Sequence, residues 1–172
     1  MKNSKHLAAA VAALAMTVLS VAGCWIYSFS GTSIQPDVFT ISIEPVVNNA
    51  QKINPSLAND LFEALCDKYK KLTKLEQVEE DGDLQLKVTI ESYQVAATAV
   101  TANEVAAMNR LTVTTKIKFV NVKHPEDNVE QSFAGYEDYN SENSLDSVEG
   151  QLCETIIEKI VEDIFNATVA QW

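Results

Sequence analysis

Few side chains in this chain have the type and spacing that catalysis requires. After residue 23, His124 is the sole histidine, beside Pro125 in an expected turn. A catalytic triad or a histidine metal site needs partners around it that the sequence does not offer. No G-x-S-x-G elbow, phosphate-cradling glycine loop or HExxH segment occurs. Glu79-Glu80-Asp81-Gly82-Asp83 gathers four carboxylates in one turn but lacks the spaced ligands of a calcium loop, so it reads as a solvated turn. Cys66 and Cys153 are too few for a four-ligand zinc site or a disulfide framework. A single Cys66–Cys153 bridge and two buried free thiols both fit the sequence. The expectation is a protein with no catalytic residue, no metal and no cofactor, and not an enzyme.

One cysteine does stand in a reactive context. Lys2 and Lys5 precede an apolar stretch from Leu7 to Ala22, which stops at Gly23-Cys24. A basic start, an apolar core of this length and small residues before a cysteine describe an export signal. Its sixteen residues fall short of the roughly 20 that span a bilayer. Val21-Ala22-Gly23-Cys24 resembles the bacterial lipobox, in which diacylglycerol joins the cysteine sulfur before cleavage makes Cys24 the first mature residue. A lone acyl chain holds a protein only reversibly, whereas the three chains usual for such a lipoprotein hold it nearly permanently. Trp25, where sorting rules would place Asp for retention at the inner membrane, points to the outer membrane with the body on the periplasmic side.

Removing residues 1–23 leaves 149 of the 172, enough for one domain with a proper core. The expected organisation is a cleaved signal over 1–23, a lipidated N-terminal segment over 24–38 and a single domain over 39–172. The net charge of −11 becomes −13 once Lys2 and Lys5 leave with the signal, which argues against nucleic acid as a partner. Trp25, Tyr27 and Phe29 alternate with Ile26, Ser28 and Ser30, so this segment is expected to dock rather than dangle.

The elements follow from periodicity. Thr40 to Val47 alternates as a strand, with Pro45 marking an edge or strand end. Asn54-Pro55 opens a helix whose apolar face carries Leu57, Leu61, Leu65 and Leu72. Lys68, Lys70, Lys71 and Lys74 gather at its end, where cations suit the helix dipole. Leu84 to Ile90 and Leu111 to Val122 are half-buried strands, and Val129 to Tyr136 returns after a turn at His124 to Asn128. A long helix runs from about Ser144 to Ala170, with Val148, Leu152, Ile156, Ile157, Ile160, Val161, Ile164 and Phe165 as its stripe. Gly150 within it suggests close helix packing.

Gln94 to Met108 breaks the pattern, being almost all Ala, Val and Thr with Glu104 its only charge. Either two strands extend into a long hairpin, or a loop covers a sheet edge. An apolar projection needs a partner, which makes Val95, Val100, Val105 and Met108 the candidate partner contacts. Arg110, the only arginine, has the fork that clamps phosphate, and Lys116 and Lys118 share the polar face of the following strand. Ordinary strand-face charge is the alternative for all three.

The order signal, cysteine, strand, helix, three strands, helix resembles the lipopolysaccharide (LPS)-assembly lipoprotein family LptE, in its Bacteroidetes form. The matching stretches are Cys24 to Gly31, Asn48-Asn49-Ala50, Asn109-Arg110-Leu111-Thr112, Ser132 to Tyr139 and the ending Asp163 to Asn166 through Trp172. The resemblance implies an α+β two-layer sandwich, a four-stranded mostly antiparallel sheet with both helices on one face. It further implies an outer-membrane lipoprotein seated as a plug in the β-barrel LptD, helping to deliver lipopolysaccharide to the outer leaflet. Barrel, glycolipid and, through the N-terminal lipid, the membrane are then the expected partners, with Arg110, Lys116 and Lys118 as candidate glycolipid contacts. The alternatives are a periplasm-facing lipoprotein that binds a small ligand or peptidoglycan, and a structural subunit of another secretion apparatus.

Overall fold

The computed structural model describes residues 33–51, 54–98 and 107–170. The signal, Cys24 and the aromatic run after it lie outside the described residues. Six strands and two helices follow in the order β1 (Thr40–Ile43), β2 (Val47–Asn48), α1 (Leu57–Leu72), β3 (Glu76–Val78), β4 (Leu84–Ala97), β5 (Met108–Asn121), β6 (Val129–Asn140) and α2 (Leu145–Thr168).

The α+β class holds, but the sheet has six strands and is mixed, not four and mostly antiparallel. Its order is β3-β1-β4-β5-β6, with β2 also on β4. β1 runs parallel to both β3 and β4, while β4, β5 and β6 form an antiparallel meander. Two local causes explain the extra strands. Pro45 has no amide hydrogen to give the ladder, so the expected first strand breaks into β1 and β2. Pairing resumes on either side of the break, with Glu44 N donating to Leu86 O at 2.9 Å and Asn49 N to Ile90 O at 2.9 Å. β3, only Glu-Gln-Val, is too short to show an alternation, and it exists because α1 carries the chain back alongside β1 as a parallel crossover requires.

From β3 the chain must step across β1 to begin β4. It does so at Gly82, where an added Cβ would lie 2.5 Å from Ser42 N, 2.7 Å from Leu84 O and 2.8 Å from Ile41 C. The crossing segment therefore rests directly on the β1 backbone.

One hydrophobic core lies between sheet and helices. Leu84, Leu86, Val88 and Ile90 alternate into it, and an irregularity between Ile90 and Ser92 shifts the phase so that Tyr93 is the next buried residue. In α1, Asn54 Oδ1 accepts from Ser56 N at 3.0 Å and Leu57 N at 3.2 Å, the expected cap. Leu57, Leu61, Leu65 and Tyr69 form its buried stripe. Leu72, expected in that stripe, is 49% exposed. The reason is length: Tyr69 Oη sits 2.5 Å from Thr168 Oγ1 at the end of α2, so Leu72 lies a turn beyond its neighbour helix.

The expected stripe of α2 is buried from Leu152 to Phe165, and Val148 packs at its margin. Phe165 meets the Tyr69 ring edge-on, centroids 5.3 Å apart. Close packing of this helix occurs at Gly135 of β6, where a Cβ would meet Ile156 O, Ile156 Cγ2 and Ile160 Cγ1, each at 3.0 Å. Gly150 is not the contact point: nothing lies within 4 Å of its would-be Cβ. Gly150→Ala should therefore raise stability by up to about 1 kcal/mol through helix propensity alone, read as a higher urea midpoint at unchanged slope.

Candidate functional site

The sequence left Gln94–Met108 as either a hairpin or a loop, and the structure gives the hairpin. β4 and β5 pair without interruption from Ser92↔Thr114 to Ala97↔Asn109, and Thr98 N donates to Met108 O at 2.9 Å. Fourteen residues at about 3.3 Å each give each strand a span of about 46 Å. β2 stops opposite Ile90, so among the described residues no strand lies beside the β4 edge beyond it. Gln94, Val95, Ala96 and Ala97 are all exposed, hence bare on both faces. Val95 is 40% exposed and Met108 half-buried at the end of the described arm, while Val100 and Val105 lie outside the described residues. β6 accompanies β5 to this end, with Asn140 opposite Met108, and Ser141 N donates to Ala107 O at 3.0 Å.

The sheet face turned away from the helices is polar, and three of its cations pair with carboxylates on neighbouring segments. Arg110 forks onto Asp138 of β6, Nε–Oδ1 2.7 Å and Nη2–Oδ2 2.9 Å, and its guanidinium lies 4.0 Å from the Tyr136 ring centroid. Lys159 reaches the same ring from α2 at 4.9 Å. Asp138 holds the Arg110 pKa above its usual value, and the guanidinium lowers that of the carboxylate in turn. Lys116 pairs with Glu130 at 2.7 Å and Lys87 with Glu44 at 2.9 Å. Lys118 stands directly between Lys87 and Glu130 in register. Arg110 and Lys116 are six residues apart on one strand, about 20 Å, so the three basic candidates share a face without forming one cluster. Tyr136, Asp138 and Lys159 were not anticipated as members of the Arg110 site. The stretch Ser132 to Tyr139 contains two of them, and its pairing with β5 was the signal available.

The opposite end of the sheet is a dense polar clasp. His124 Nε2 lies 2.9 and 3.1 Å from the Asp37 carboxylate oxygens, and Lys123 pairs with Asp83 at 3.0 Å while also donating to Asp37 O. Asp83 accepts from Phe39 N at 2.8 Å and Thr40 N at 3.2 Å, which, with Lys123, pulls its pKa down to about 2. Asp37 raises that of His124. Ser33 N donates to Val169 O at 2.8 Å, fastening the entering chain to the end of α2. A cavity of about 300 Å³ opens here, bordered by Ile34, Leu84, Phe119 and Val169. Of its polar members, Gln35 bonds both Asn121 and Asp127, and Thr168 bonds Tyr69.

The thiols do no evident chemistry. Cys66 and Cys153 are free, Cys153 buried and Cys66 half-buried. Burial, then Glu149, pushes the Cys153 pKa up to about 11, the opposite of a reactive thiolate. No group of three or more His, Cys, Asp or Glu side chains suited to a metal occurs among the described residues.

A family model described as LptE, lipopolysaccharide-assembly, matches residues 39–168. The chain belongs to the LptE family. As an LptE member it is a lipopolysaccharide-assembly lipoprotein and not an enzyme. No curated protein matches it by sequence. Among solved structures it is similar to a hypothetical protein from Chlamydia trachomatis at 8% identity and TM-score 0.51, covering 76% of this chain and 98% of that one. That likeness concerns the fold. It is also similar to a minor lipoprotein from Acinetobacter baumannii (12%, TM-score 0.48, 73% and 87% covered) and to rare lipoprotein B from Shewanella oneidensis (8%, TM-score 0.46, 74% and 89% covered). No helix among the described residues is long and apolar enough to cross a membrane.

Proposed function

We propose that this LptE-family chain is lipidated at Cys24, sits at the outer membrane on its periplasmic side, and plugs an LptD-like β-barrel that delivers lipopolysaccharide to the outer leaflet. The observation that carries the reading is the β4–β5 arm, whose β4 strand ends in four exposed residues, Gln94 to Ala97, and continues in sequence into an Ala, Val and Thr segment. A water-exposed apolar arm is a liability in a free domain and an asset in one that inserts into a partner. A barrel lumen is polar along its wall, and the polar face of β4, β5 and β6 suits such a wall. Anchoring by the Cys24 lipid confines plug and barrel to one membrane and so raises their effective concentration. Depletion of the chain in its native host should lower the lipopolysaccharide exposed at the cell surface, measured by labelling intact cells. Unchanged surface glycolipid would contradict the proposal.

The glycolipid contact is proposed at Arg110, Lys116 and Lys118. Each of the first two already neutralises a carboxylate, so phosphate must compete with Asp138 and Glu130 on a face that carries both signs. Arg110→Asp combined with Lys116→Asp is expected to weaken direct binding of purified lipopolysaccharide about tenfold or more while the fold persists, since lost charge-assisted bonds cost about 1.5–3 kcal/mol each. Binding equal to that of the unaltered protein would remove these residues from the contact.

A further inference from the structure

Six large apolar side chains are exposed among the described residues, and the three most exposed are at one end of the body: Phe39 at 63%, Val122 at 56% and Leu72 at 49%. This is the end where β4 begins and both β5 and α1 finish. The backbone there is pinned. Asp83 takes the Phe39 amide on its carboxylate and the Val122 amide on its carbonyl, and Glu76 N donates to Phe39 O at 2.9 Å. Exposure of Phe39 and Val122 is thus built into ordered structure.

The same end receives the chain from its N-terminal side, through Ser33 on Val169. Ser33 is nine residues after Cys24, a tether of at most about 30 Å when fully extended. We propose that the Phe39–Val122–Leu72 end is a membrane-seating surface that enters the headgroup layer of the phospholipid bilayer beside the acyl chains on Cys24; this rests on the Cys24 lipidation proposed above. Lys123 fits the occupant, its ammonium 5.3 Å from the Phe39 ring centroid, since aromatic rings and long cationic side chains share the headgroup level. The rim carries both signs, with Asp37 and Glu126 beside Lys123 and His124, so the seat draws on apolar burial and not on bulk charge. It should accordingly be insensitive to added salt.

The test uses the full lipidated protein, carrying Cys66→Ser, in vesicles of phosphatidylethanolamine and phosphatidylglycerol. An environment-sensitive fluorophore is placed at Val122→Cys, and in a second preparation at Val95→Cys on the far arm. The expected result is a blue-shifted emission at position 122 that nitroxide-bearing lipids quench, at low and high salt alike, with neither effect at 95. Phe39→Ser should reduce the quenching at 122, and because Phe39 is exposed this variant keeps its fold. Absence of quenching at 122, or equal quenching at both sites, overturns the proposal. A blue shift without lipid quenching also overturns it, in favour of cover by the chain's own Trp25–Phe29 segment. Detergent-phase partitioning, and its loss in Cys24→Ser, reports the lipid separately, so failure of the seat and failure of the anchor are distinguishable.

Discussion

Gly82→Ala should be the most damaging single methyl group that can be added to this protein. The new Cβ would stand at 2.5 to 2.8 Å from three backbone atoms of Ile41, Ser42 and Leu84, none of which can rotate away. Relief requires the crossing segment to lift off β1, which breaks the bonds from Gly82 N to Ser42 Oγ and from Asp83 N to Thr40 Oγ1. Overpacking of this kind costs about 3 kcal/mol, a large fraction of the stability of an ordinary domain. Equilibrium urea unfolding should show the order Gly82→Ala far below Gly135→Ala, Gly135→Ala below the unaltered protein, and Gly150→Ala above it. Equal midpoints for the first and last would mean that the crossing does not lie where the structure puts it.

The three glycines also show where sequence reading reaches its limit. Gly150 attracted attention because it interrupts a helix, a local and visible irregularity, yet open space surrounds it. Gly82 looked like part of an acidic turn, and its role depends on a strand 40 residues away. Helices and the two long strands were legible because each repeats its burial along the chain: Leu57, Leu61 and Leu65, or Leu84, Leu86 and Val88. Parallel pairing of β1 with β3 and β4 has no such trace, since Glu-Gln-Val alternates nothing and the crossover geometry decides the partner. Arg110 was read either as a phosphate clamp or as ordinary strand-face charge, and in the folded chain its fork rests on the Asp138 carboxylate opposite it in register. The hairpin was one of two readings of an Ala, Val and Thr segment, and continuous pairing to Ala97↔Asn109 selects it.

Val100→Lys combined with Val105→Lys should abolish stable union with the barrel while leaving the domain folded. An uncompensated charge buried by a truncated pair costs about 3–5 kcal/mol, and a lysine forced into an apolar contact faces a similar penalty. Even one such charge lowers affinity by about a hundredfold or more. The fold should be indifferent, because neighbouring Gln94 to Ala97 are already exposed and the last buried residues of β4 and β5 toward the arm are Tyr93 and Leu111. Unfolding midpoints of the double variant and the unaltered chain are expected to coincide. A variant that keeps its partner would move the contact elsewhere, to the open face of β4, β5 and β6.

The most direct measurement is recovery of the tagged, lipidated chain from its native membranes under mild detergent, followed by identification of what accompanies it. The account predicts a large outer-membrane β-barrel in near-equal amount, retained with the unaltered chain and lost with the Val100, Val105 double variant. Recovery of the intact lipoprotein alone, with no barrel in any preparation, would contradict it.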